Sequence, residues 1–130
     1  EGDFQRLADL ALGGEIDEIA GELERLPSGG SEAIPVVRSL QRRLLMLAPA
    51  RARIERGERV DSVMTSLGRS LFWKDKSKVS RMLEKWSADD LAIVSERAGK
   101  LERSLIFTQA PVREALGEEL FAIARKARSL

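Results

Sequence analysis

The chain has 130 residues, of which 43% are hydrophobic and 33% charged, and its net charge is +1; this is one domain's worth of sequence, with room for one core and not two. It contains no cysteine, histidine or tyrosine, which excludes disulfides, thiolate or imidazole metal sites, cysteine nucleophiles and the usual general base near neutral pH. Its longest apolar run, LLMLA at 44–48, is far too short to span a bilayer, so the expectation is a cytoplasmic, non-catalytic protein with no cofactor, no small-molecule substrate and no membrane contact.

The chain opens on Glu1 without an initiator Met, a basic n-region or an apolar h-region, so it is read as a fragment or processed chain with no signal peptide. Phe4, Leu7, Ala8 and Ala11 follow i, i+3, i+4, i+7 spacing, and Gly13-Gly14 supplies a stop, predicting a first short helix. A second helix follows, with Ile16, Ile19, Ala20, Leu23 and Leu26 on one face and Glu15, Asp17 and Glu18 in its first turn, before PSGG at 27–30 breaks the chain. The two form a helical hairpin over 1–26, ahead of a main bundle over 31–130 in a single helical domain.

Ser31 is a candidate N-cap for a long helix whose seam is Val37, Leu40, Leu44, Leu47 and Ile54, with Arg51 in the missing place. That helix ends near Gly57, and Pro49 inside it predicts a kink or short break at 47–49. A short amphipathic helix is expected from Val60 to Leu67. Leu71, Phe72 and Trp73 then form a continuous apolar run without a period, expected as a buried connector that anchors one helical layer on another.

Helix resumes with Asp75 or Ser77 as cap. Val79, Met82, Leu83 and Trp86 give it an apolar face, and Lys74, Lys78, Arg81 and Lys85, spaced four, three and four, give a basic stripe beside that face. Ser87-Ala88-Asp89-Asp90 reads as an acid-variant capping box for a helix with Leu91, Val94, Ala98, Leu101 and Leu105 on its inner face. Thr108 to Ala110 is the next turn, Pro111 suits the first position of a last helix, and Val112, Leu116, Leu120, Ile123 and Ala127 form that helix's stripe. No segment alternates with period two, so the predicted fold is all-α, a bundle of six to seven helices.

Charge is uneven along the chain. Residues 1–34 carry nine acids against Arg6 and Arg25, residues 35–59 seven arginines against Glu55 and Glu58, and residues 69–86 six bases against Asp75 and Glu84. An acidic end and a basic middle fit either oriented docking or the solvated faces of amphipathic helices. No GxxxxGK[ST] phosphate loop is present, and the acidic pairs Asp89-Asp90 and Glu118-Glu119 read as capping and solvation, not as a metal or catalytic site. The basic stripe could neutralise phosphates, but Trp86 shares the apolar face and is expected in the core, not in a base stack.

The order LADLALGGEIDEIAGELERL, IPVVRSLQRRLLMLAPARARIERG, SLFWKDKSKVSRMLEKWSADDLAIVSERAGKLERSL resembles the C-terminal portion of the delta subunit of bacterial DNA polymerase III, a component of the sliding-clamp loader. The resemblance covers almost all of the chain. It is carried by Asp9 and Gly14 in the first hairpin, the leucine- and arginine-rich helix from Arg38 to Arg53, the aromatic-basic connector and Trp86 before the next helix. Family members commonly carry a lysine late in that next helix; the nearest position here is Ile106, which takes away any contact that lysine would make.

The resemblance implies a helical collar domain that packs beside other clamp-loader subunits, gamma/tau and delta-prime, and supports loading of the sliding clamp in DNA replication. By the same resemblance, the clamp-opening element and the nucleotide-binding-like fold lie in domains N-terminal to this segment, so contact with the clamp or DNA is indirect. The residues expected at a subunit or DNA contact are Lys74, Lys78, Arg81, Lys85, Arg42 and Arg43. Phe72, Trp73 and Trp86 are expected as structural aromatic anchors. The alternative function is a helical domain that binds nucleic acid non-specifically through the basic stripe.

Overall fold

Two glycines determine where the first half of the chain turns. Gly14 has φ +78° and Gly57 has φ +107°, a region that glycine occupies at little cost. Each is the left-handed residue of the same terminating motif. Glu15 N–H bonds Leu10 O and Gly14 N–H bonds Ala11 O; Glu58 N–H bonds Arg53 O and Gly57 N–H bonds Ile54 O. These are the paired bonds that satisfy the last carbonyls of a helix.

The computed structural model describes residues 2–26, 32–107 and 111–130. The break expected at 27–30, the Ser31 cap and the turn at 108–110 lie outside the described residues. Among the described residues the fold is all-α, with seven helices and no strand: α1 (Gly2–Gly13), α2 (Ile16–Glu24), α3 (Ala33–Glu55), α4 (Val60–Leu67), α5 (Lys76–Lys85), α6 (Ala88–Phe107) and α7 (Val112–Ser129), with a single 3-10 turn (Trp73–Asp75) before α5.

α1 lies inside the bundle. It packs on α2, α3, α5 and α7, and Leu7, Ala8, Ala11 and Leu12 are all buried, so the α1–α2 hairpin is built into the bundle. At Gly14 a Cβ would lie 2.9 Å from Arg128 Cγ of α7, so this turn needs glycine for space as well as for φ. In α2 the stripe is Ile16, Ile19 and Leu23, continued by Leu26 just past the helix end, while Ala20 is exposed. Ala20 is four positions after Ile16 but directly follows Ile19, and the steps of three, four and three that join the stripe pass it by.

α3 is buried along two flanks, between α1 and α6. It runs through Pro49 as one helix, so of the expected kink or short break the break is absent. The lost donor would have served the carbonyl of Leu45, and Leu45 and Pro49 both lie on the exposed side of α3, where water can take its place. Pro111 occupies the cap of α7, with ψ 110°, one position earlier than expected, because its extended backbone precedes the first helical turn.

Several helix ends are closed by side chains from other helices. Trp86 Nε1 donates to Leu12 O at the end of α1 (2.9 Å), Arg51 to Leu83 O at the end of α5 (2.7 Å), and Arg113 to Leu23 O at the end of α2. At the start of α6, Glu55 accepts from Ala88 N–H and Ser87 Oγ from Asp90 N–H. Each bond satisfies a backbone group that the helix itself leaves unpaired, and all but the local Ser87 cap also tie one element to another.

Candidate functional site

Residues 70–86 begin in the connector after α4. Leu71 is buried, but the next two side chains turn outward: Phe72 is 58% exposed and Trp73 68%. Their ring centroids lie 6.0 Å apart at 49°, and Lys74 Nζ stands 5.6 Å from the centre of the Trp73 ring, within the range of a cation–π contact. This corrects the expectation that Phe72 and Trp73 are buried anchors. Leu71 takes the interior place, and the chain then reverses through the 3-10 turn, so that Asp75, and not a ring, points back toward the core.

Asp75 joins a buried ion network. Arg43 of α3, 5% exposed, donates two 2.9 Å bonds to the two carboxylate oxygens of Asp9 of α1, and a third of 3.2 Å to Asp75. Lys78 Nζ of α5 lies 3.7 Å from Asp9 and 3.6 Å from Asp75, and Gln5 donates to Asp9. Two carboxylates meet two cations, so the cluster is neutral overall, as a buried charge group must be to avoid a large desolvation cost. Burial works against the Arg43 charge, but the bonds to Asp9, and after them those to Asp75, outweigh it and hold the guanidinium above its ordinary value.

Arg43 is therefore not a partner contact, as the sequence suggested, but the clamp between α1, α3 and the aromatic turn. Its neighbour Arg42 is exposed and bonds Ser39 of its own helix at 2.9 Å. The basic stripe also divides. Lys74 covers the Trp73 ring and Lys78 faces inward, while Arg81 and Lys85 are exposed and make no ion pair among the described residues. Trp86 is fully buried with Val79, Met82 and Leu83.

Sequence reasoning missed the partner of Arg43. The available signal was Asp9, a lone carboxylate inside the apolar run Leu7 to Leu12; a charge there needs a buried counter-charge. Among the described residues no group of three or more acidic side chains is arranged to hold a metal ion, and no helix is long and apolar enough to cross a membrane. No protein-family model, curated protein or solved structure matches the chain.

Proposed function

We propose that this chain is a non-catalytic assembly module, the helical collar domain of a delta-type subunit of a bacterial clamp loader, acting in the cytoplasm to hold subunits together while the sliding clamp is loaded. The observation that carries the docking role is the exposed pair Phe72 and Trp73, held on a turn whose last residue, Asp75, is fixed by Arg43. Tryptophan is one of the side chains enriched among the residues that carry most of the energy at the centre of protein–protein contacts. The resemblance of the ordered helical segments supplies the choice of partner. Mixing the chain with gamma/tau and delta-prime subunits at micromolar concentration should give co-migration on size exclusion; separate elution of all components would contradict the assignment.

The exposure of the two rings also favours a second reading, binding of single-stranded nucleic acid, because bases can stack on exposed aromatics beside lysines. Lys74 and Lys76 are exposed there. Against this, Lys78 is engaged by Asp9 and Asp75, which leaves fewer cations for phosphates than the sequence implied. Titration of a fluorescent oligonucleotide at rising salt separates the readings. Affinity that falls steeply with salt and drops on Lys74→Glu supports nucleic-acid binding; no measurable binding at low salt rejects it.

A further inference from the structure

A groove of about 500 Å³ runs between α5 and the corner where α1 turns into α2. Its lining divides by chemistry. Lys78, Arg81 and Lys85 stand along the α5 side, and Asp9, Glu15 and Glu18 with a single cation, Arg6, along the other, with the largely buried Leu10 and Met82 also in the lining. Arg81, Lys85 and Glu15 form no ion pair among the described residues, and Glu18 is engaged only on its own side, by Arg6 at 3.6 Å. Lys78 already reaches Asp9 across the floor at 3.7 Å, which leaves Arg81 and Lys85 on one wall and Glu15 on the other as the unpaired charges of opposite sign.

The cationic row from Lys78 to Lys85 spans seven residues, about 10 Å of helix, and its steps of three and four match the spacing of side chains along the edge of a facing helix. A uniformly acidic ligand would meet Glu15 and Glu18, within an N-terminal segment that carries nine acids against two arginines. A uniformly basic ligand would meet α5. Only an occupant with both charges, separated across its width by apolar side chains, complements the whole groove.

We infer that this groove receives an amphipathic helix of a protein partner, apolar stripe inward, with carboxylates along the edge facing Arg81 and Lys85 and cations along the edge facing Glu15 and Glu18. The inference rests on the docking role proposed above and names the chemistry of the partner segment. Helices use grooves of this kind through anchors at i, i+3, i+4 and i+7, and the charged edges fix register and exclude wrong partners.

The test uses three synthetic helical peptides of about 16 residues, long enough to hold helix, with one leucine stripe in common. The first has one edge of glutamates and one of lysines, the second glutamates on both edges, the third lysines on both. Fluorescence anisotropy with the intact chain should show the bipolar peptide binding at least about tenfold more tightly than either other. In the variant Arg81→Glu/Lys85→Glu, whose thermal midpoint should match the parent, that peptide should lose about tenfold or more while the all-lysine-edged peptide gains.

Equal binding of all three peptides, preference for the all-acid one, or no effect of charge reversal overturns the inference. So does the absence of bipolar-peptide binding at about 100 µM. Because the peptides alone probe the groove, their failure beside successful co-migration with loader subunits defeats only the groove. Peptide binding without such co-migration supports the groove and defeats the clamp-loader assignment.

Discussion

Trp73 and Trp86 are thirteen residues apart in one continuous segment and have opposite fates. Trp86 is fully buried and its indole N–H closes the end of α1 on Leu12 O; Trp73 is 68% exposed and its ring faces the ammonium of Lys74. The difference is one of phase. Trp86 falls three and four residues after Leu83 and Met82 on the α5 stripe, so helical period carries it inward. Trp73 stands before the helix in a turn whose inward place is held by the Asp75 carboxylate. For these two tryptophans, period and a hydrogen-bond partner both lead inward at Trp86 and neither does at Trp73.

The largest expected effect is at the buried end. Trp86→Ala removes a fully buried ring and leaves Leu12 O without its donor, and should cost about 3–5 kcal/mol in urea unfolding. Trp73→Ala should change stability by less than about 0.5 kcal/mol. Similar losses from the two variants would erase the comparison.

Next is the network that joins the two ends. Asp9→Asn leaves Arg43 short of its counter-charge in a buried place and should cost about 3 kcal/mol or more. The paired replacement Asp9→Leu/Arg43→Met removes both charges, and should recover most of that loss while loosening the Trp73 turn, because Asp75 then keeps only Lys78. Urea unfolding of both variants checks this. A double variant no more stable than the single one would mean that the ion pair is not what Asp9 contributes.

Acid should act through three glutamates on α3, the turn after it, and α6. Glu55 is held below its ordinary value of 4.5 by the hydrogen bond from Ala88 N–H and then by Arg51, Glu58 by Arg53, and Glu102 by Gln41 and then Arg38. A depressed value in the folded state means that the unfolded chain takes up these protons first as pH falls. The stabilisation is therefore complete above about pH 4.5 and is lost below it. All three groups lie at the surface, so the change is modest and weakened by salt. Glu55→Gln/Glu58→Gln/Glu102→Gln should flatten the fall in urea midpoint between about pH 5 and about pH 3.5; an unchanged slope would assign acid sensitivity elsewhere.

Much of the fold was legible because helical period and glycine punctuation agree. The short helix Val60–Leu67 begins and ends where the apolar spacing puts it, Arg51 fills the gap in the α3 seam by bonding Leu83 O, and Ser87 caps α6. The surface was less legible. Phe72 and Trp73 have no period, and which of three consecutive apolar residues turns inward depends on Asp75 meeting an arginine 32 positions away. Arg43 looked like its neighbour Arg42, because its partner Asp9 lies 34 positions back and no local pattern joins them.

The smallest structural effect carries the largest functional one. Phe72→Ala/Trp73→Ala should leave the thermal midpoint almost unchanged, yet weaken the proposed association with clamp-loader gamma/tau and delta-prime subunits, measured by titration calorimetry, by at least about thirtyfold, as expected for loss of a tryptophan at the centre of a contact. Association at the parent's affinity by the double variant would contradict the account that this aromatic turn is the docking element.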